Sequence, residues 1–402
     1  MSLFLSHPLI LLAFIVAGFS TAVWYNVRMR SVDNGPTIAS ERANITPAYL
    51  ARNLPALLAA RAATNVRLMH VFGFARSAFV TDDSAVHRQF VTCAKTLLAP
   101  RWTELRCVAR SAVARYAPGS AAPFAEYVQA VTLATILTFS FGTSPQAMAY
   151  DDLVRVANDI TDLAKCSHGT LASWIQSREA DVLVVPRDHP DWTIELDENP
   201  LEFVVPSFET LWRVVAVAYA LLAINKDNCA SAFVPLMKAE QVDKEIFDGV
   251  TNTPAGDVRP LSFVTEVLRI YPPTRRITRG YPVREYFARK ADLSASRVTF
   301  ITDPNCCQPT HAVIKADIER AQRSRCDFGP TANEFDPARK VDVRDLLAFG
   351  SNPLRCPGQK WAPQAVTIIV AALLESQLLV TTGKNLGDRA GWEGWTLARK
   401  LR

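Results

Sequence analysis

The segment Leu211 to Ile224, LWRVVAVAYALLAI, is apolar on every face except at Arg213. A helix of that composition is stable only when other elements surround it, so the chain must build helical layers around a central rod. The remaining sequence supplies them. LPALLAARAA from Leu54, FVTCAKTLLA from Phe90 and FAEYVQAVTLATILTFSFG from Phe124 carry helical spacing, the last closed by Gly142 as a C-cap. DDLVRVANDITDLAKCS, from Asp151, predicts an amphipathic helix with two aspartates at its positive end. SFVTEVLRIY runs to a stop at Pro272-Pro273. VIKADIERAQRS from Val313 reads as a helix, and APQAVTIIVAALL from Ala362 as another buried one. RVTFIT has strand character, and the β component is expected between Arg279 and Thr302. The fold class is mainly α with a small β subdomain.

No Asp, Glu, Lys or Arg occurs before Arg28, and the densest apolar part is LILLAFIVAGFSTAVW, Leu9 to Trp24. With Leu3-Phe4-Leu5 upstream this is about 20 residues, enough to cross a bilayer as a helix. Trp24 and Tyr25 would lie at the interface, and Arg28 and Arg30 directly follow. A cleaved signal peptide is the competing reading, but its positive charge should precede the apolar run. Residues 1–30 are therefore expected to be a retained single-pass anchor, 31–47 a linker, and 48–402 one folded domain on the cytosolic side. The net charge of +5 suits an acidic partner or a membrane face. Without a basic run or zinc-type cysteine pairing, no nucleic-acid role is indicated. The eight cysteines form no disulfide framework, so mostly reduced thiols are expected.

Three local features carry chemistry. In FGSNPLRCPG, Phe349 to Gly358, a Gly/Ser/Asn/Pro loop delivers Cys356 just before the apolar helix from Ala362. A helix N-terminus and the neighbouring Arg355 should lower the thiol pKa, and a thiolate is what a haem iron takes as an axial ligand. Alone, the loop more often describes a buried structural cysteine. Second, Glu266 and Arg269 share a helix face with Phe263, Val267 and Ile270, which predicts a buried ion pair. Third, Pro206-Ser207-Phe208-Glu209-Thr210 sets an acid and an alcohol at the start of the central apolar helix, where an ordinary first turn would look the same.

Together and in this order, these features resemble the cytochrome P-450 family over roughly residues 48 to 380. The resemblance implies a P-450-type fold preceded by one N-terminal transmembrane helix, in a membrane-anchored microsomal and fungal-like member. It implies haem as cofactor, with Cys356 as the metal ligand. Phe349 and Gly358 match the haem loop, and Glu266 and Arg269 match the Glu-x-x-Arg helix. Arg339, in the Phe335 to Arg339 segment, would join that pair, and Arg279 sits where the family holds a propionate, with Arg355 as a further cofactor contact. Glu209 and Thr210 resemble the acid–alcohol pair that supplies protons to dioxygen, and Trp102 and Arg106 match a further propionate motif. The implied activity is monooxygenation of a small lipophilic, secondary-metabolite or lipid-like substrate. Electrons would come from an NADPH-dependent flavoprotein reductase at the endoplasmic reticulum membrane, meeting Lys340, Arg344, Arg355 and Lys360. The sequence departs from the family at Asn352 (usually Gly), at Leu354 (usually Arg or His), at Pro206-Ser207 (usually small residues) and in a shortened stretch between Ser167 and Glu202. Two other classes stay open: a degenerate haem protein without turnover, and a membrane-anchored binding protein without haem.

Overall fold

The computed structural model describes residues 35–75, 77–162, 170, 173–174, 199–224, 229–289, 298–302, 308–388 and 390–400. The apolar N-terminal stretch and the polar connection before Asn199 lie outside the described residues. The longer helices are α1 (Ile38–Ile45), α2 (Leu54–Ala62), α3 (Ser84–Leu97), α4 (Trp102–Arg115), α5 (Phe124–Phe141), α6 (Tyr150–Thr161), α7 (Leu201–Phe208), α8 (Leu211–Ile224), α9 (Pro260–Ile270) and α10 (Ala362–Glu375).

α8 is the predicted rod. It packs against α5 and α10, which both meet α4, and the four helices enclose the main core. α7 and α8 together, like α5, are long and apolar enough to span a bilayer, yet both are largely buried inside the protein. α5 stops at Gly142, whose φ of +64° is the left-handed C-cap conformation that glycine adopts without strain. α9 opens on Pro260, which needs no backbone donor there.

After the short strands β1 (Ala122–Pro123), β2 (Thr251–Thr253) and β3 (Gly256–Val258), strands β4 (Arg276–Pro282), β6 (Pro309–Asp317) and β5 (Val298–Thr302) form an antiparallel sheet in the order β4–β6–β5, with Arg276 opposite Asp317 and Phe300 opposite Ala312. β6 is a departure from expectation, because Val313 to Ser324 read as one helix. Only Ile318–Ala321 is helical. Ala312, Ile314 and Ala316 alternate with more exposed residues, a period of two, and pairing on both sides makes β6 the central strand. A second difference concerns the expected linker. Ile38–Ile45 inside it is a helix, capped by a reciprocal Thr37–Ser40 box. It docks on the sheet: Glu41 accepts the Asp317 N–H at 3.1 Å, and Tyr281 Oη donates to the Asn44 carbonyl at 3.1 Å. Ile45, fully buried, packs with Ala316, Ile318 and Leu347.

If α1 is part of the domain, Ile45→Ala removes a core contact and lowers unfolding stability by about 2–5 kcal/mol. Urea denaturation of the variant against the parent measures this; an unchanged midpoint would make α1 a detachable tether.

Candidate functional site

The cysteine loop is closed by one backbone hydrogen bond, from Cys356 N–H to the Phe349 carbonyl at 2.8 Å. Gly350 sits at φ +75°, ψ −158°, a conformation open in practice only to glycine, and turns the chain back after Phe349. Asn352 is exposed and Phe349 is buried in the main core. Burial pushes the Cys356 thiol up from its ordinary value, and the Gly358 N–H acts the other way. The residue nevertheless keeps an open surface. A Cβ on Gly358 would stand 3.6 Å from the Cys356 Sγ and 3.4 Å from Leu98.

That upward direction reverses the expectation of a lowered pKa. The turn after the cysteine, Pro357–Lys360, is a short 3-10 segment opened by a proline with no N–H to offer. Arg355 points elsewhere: its guanidinium donates to the Arg344 carbonyl at 3.2 Å and to Gln359 at 3.4 Å.

Behind the loop lies the predicted ion pair. Arg269 donates through Nε and Nη2 to the two Glu266 oxygens, each at 2.7 Å, and both side chains are 0% exposed. The remaining donors of Arg269 reach the carbonyls of Gln322, Ala332 and Glu334. Arg339 joins at 3.3 Å to Glu266, as predicted, and also holds the Phe328 and Thr331 carbonyls. Gln322, which gave no signal in the sequence, is fully buried. It donates to the Leu268 and Arg269 carbonyls and accepts the Ala348 N–H at 3.0 Å. The charge cluster is thereby tied directly to the segment that leads into Phe349.

Between α7 and α8 the helix breaks at Glu209-Thr210. Pro206 lies inside α7 and cannot donate to the preceding turn. Ser207 Oγ bonds back to the Phe203 and Val204 carbonyls, which bends a helix further. Thr210 is half-buried, its Oγ1 3.5 Å from the Pro206 carbonyl. The Glu209 carboxylate is buried and engaged: Thr161 Oγ1 and Trp212 Nε1 each donate to it at 3.1 Å, and Arg213 lies 3.7 Å away. Arg213 also meets Asp388 at 3.3 Å, and Asp388 meets Arg275 at 3.4 Å. Ile277 packs with the Ile38–Ile45 cluster, and Phe203 stacks on Phe90 in the core.

No family model matches the sequence, and no curated protein matches it either. Solved structures do. Retinoic acid bound cyanobacterial CYP120A1 aligns with a TM-score of 0.56 at 12% identity, covering 83% of this chain and 82% of that one. Open cytochrome P450 EryK from S. erythraea gives 0.51 at 15%, over 90% and 89%. P450BioI in complex with a hexadec-9Z-enoic acid ligated acyl carrier protein gives 0.52 at 14%, over 90% and 91%. The fold is that of the cytochromes P450.

On this P450 fold, Arg106 is committed to backbone: it holds the carbonyls of Leu236, Ala239 and Glu240. Trp102 stacks on Trp361, just beyond the cysteine turn. Arg279 is buried, its Nη1 on the Thr278 carbonyl at 2.8 Å and its Nε without a partner. Beside it lies Arg61, buried on α2, with an orphaned Nε of its own and its Nη2 3.3 Å from His87 Nδ1. Burial lowers the Arg61 pKa to about 9, with repulsion from Arg279 adding to it, and lowers Arg279 to about 10. Among the described residues neither forms an ion pair. Leu354 packs with Leu57 and Tyr281, which share the helix and strand faces of Arg61 and Arg279. Two buried guanidiniums without a carboxylate thus stand beside the cysteine loop, and that arrangement calls for an anion. Arg61 and His87 were missed because neither belongs to a local motif.

Two predictions follow from this geometry. Arg269→Ala removes the bidentate partner of a fully buried Glu266, leaving it Arg339 at 3.3 Å and the Asp336 N–H, and destabilises by about 3–5 kcal/mol in urea unfolding; a loss below 1 kcal/mol contradicts the burial. Burial, helped by Arg61 and Arg88, lowers the His87 pKa from 6.5 to about 4. The unfolded chain then binds more protons between those values, so stability falls as pH drops from about 6.5 to about 4 and is unaffected above. His87→Gln flattens that slope in denaturation midpoints taken across the window.

Proposed function

We propose that this chain is a haem-thiolate monooxygenase acting on a small lipophilic, secondary-metabolite or lipid-like substrate. Cys356 carries the reading: a thiol with open surface at the end of a self-closed loop, in a P450 fold. The residues present fit the cofactor. Haem brings an iron for the thiolate and two carboxylates for the orphaned Arg61 and Arg279 donors. When bound, thiolate-ligated haem supplies the activation of dioxygen.

The chain's own groups do the rest. Cys356 would ligate the iron, and its deprotonation is favoured by the metal rather than by Arg355 or a helix end. Phe349 and Gly358 would flank the ligand, and the small size of Gly358 keeps the space beside the Sγ clear. Arg279, with Arg61, would hold the carboxylates, while neutral His87 accepts from Arg61 and keeps its fork in place. Glu266, Arg269 and Arg339 would bind no ligand; they fix the segments that end in Phe349. Thr210 Oγ1 and the Glu209 carboxylate would move protons at the helix break, with Arg213 shared between Glu209 and Asp388.

Two further readings belong to the same proposal. The uncharged stretch before Arg28 would anchor the domain on the cytosolic side of the endoplasmic reticulum. An NADPH-dependent flavoprotein reductase would dock over the cysteine loop, with exposed Lys340 and Lys360 as its basic contacts. Arg344 already pairs with Asp342 and so adds less there. The engagement of Glu209 by three neighbours favours one alternative, a haem protein without turnover.

The deciding measurement is the carbon monoxide difference spectrum of the reduced protein. A strongly red-shifted Soret band is expected, and Cys356→Ala should abolish it. An unshifted band removes the thiolate ligand, and well-folded protein without a haem signal removes the haem. Reductase-dependent NADPH consumption then separates turnover from mere haem binding.

A further inference from the structure

A polar cleft of about 430 Å3 opens at the edge of the β4–β6–β5 sheet, where β6 gives way to the turn Ile318–Ala321. It lies outside the constellation around Cys356. Its acids are already engaged: Glu319 meets Arg275 at 3.5 Å and Arg323 at 3.6 Å, and Asp317 accepts the Arg320 N–H at 3.2 Å. Arg323 is further committed to the Ile270 carbonyl at 2.6 Å. Arg276, Arg320 and Arg325 remain. All three are exposed and line the same cleft, and among the described residues none of them forms an ion pair. Three guanidiniums lining one cleft, none of them in an ion pair among the described residues although Asp317 and Glu319 share that lining, match the donor set for a phosphate group.

Position argues for the source of that phosphate. Gly35 and Pro36 form another wall of the cleft, and the uncharged stretch ends at Arg28. At about 3.5 Å per residue, the chain from Arg28 to Gly35 spans at most about 25 Å. A domain whose preceding segment sits in a bilayer therefore keeps this cleft within reach of the headgroups. Arginines near an anionic leaflet strengthen association by roughly fivefold each. We infer that the cleft formed by Arg276, Arg320 and Arg325 binds the phosphate of an anionic lipid headgroup, and so fixes how the domain sits on its membrane. The inference rests on the anchor reading given above, and on none of the haem chemistry.

Cys326 lines the cleft and is exposed, so its alkylation reports occupancy; Cys107, exposed on α4, is a built-in control. The full chain is incorporated into vesicles of phosphatidylcholine alone or with phosphatidylserine, and treated with a membrane-impermeant maleimide. Modification is then followed peptide by peptide. Cys326 should react several-fold more slowly in the phosphatidylserine vesicles, and Cys107 at an unchanged rate. The triple variant Arg276→Gln, Arg320→Gln, Arg325→Gln should lose the difference. Equal Cys326 rates in the two vesicles overturn the proposal. Equal protection by inorganic phosphate in neutral vesicles overturns it too, in favour of a soluble-anion site. Flotation with neutral vesicles reads the anchor separately: failure there with flotation on anionic ones sinks the anchor and upholds the cleft, and failure on both sinks both.

Discussion

The pair Glu266–Arg269 is the interaction on which the rest of the structure leans. Two charges at 0% exposure survive folding only when every donor and acceptor is matched, and the matching partners come from far along the chain. Arg269 gathers the carbonyls of Gln322, Ala332 and Glu334, and Glu266 accepts from the Asp336 N–H and from Arg339. The irregular chain between Gln322 and Arg339 has almost no regular secondary structure of its own. It is ordered by this charge cluster, and through Gln322 and Ala348 the order reaches the cysteine loop. Electrostatics buried on α9 thus help shape a site carried on a loop.

The helices were legible because their apolar spacing is a local property, and α5, α8, α9 and α10 appear where the periodicity puts them. β6 was not. Val313 to Ile318 fits a helical stripe as well as a strand, and only the flanking strands β4 and β5 decide between them. α1 has little apolar stripe to read; its helix depends on the Thr37–Ser40 box and on Glu41 meeting β6. In the site, the short motifs around Cys356 and Glu266 could be read from spacing. Arg61, His87 and Gln322 could not, because each acts only through a partner distant in sequence. The thiol pKa failed for a related reason: the sequence implied a helix dipole at Cys356, where the chain forms a proline-led 3-10 turn.

A run of alternating charges leads outward from the break in the central helix. Glu209, Arg213, Asp388, Arg275, Glu319 and Arg323 stand 3.3–3.7 Å apart in sequence along it, from buried to half-exposed. It couples the acid of the break to the loop bearing Asp388, whose Trp392 and Trp395 pack on Phe124 of α5. The local dielectric changes along this run, so the inner members hold each other more strongly than the outer ones. The Glu209 carboxylate is therefore linked, through Arg213, to the C-terminal loop as well as to Thr161 and Trp212.

Leu354 has a consequence for modular exchange. Its side chain is a plug seated among Leu57, Leu58, Tyr281 and Ile314, so the cysteine loop and the helix–sheet unit behind it form one interlocking piece. A loop transplanted from another P450 fold, bearing a charged residue at this position, would drive that charge into an apolar socket already crowded by two guanidiniums. Recombination between such chains would succeed only where the crossover points keep α2, β4 and the loop from the same parent.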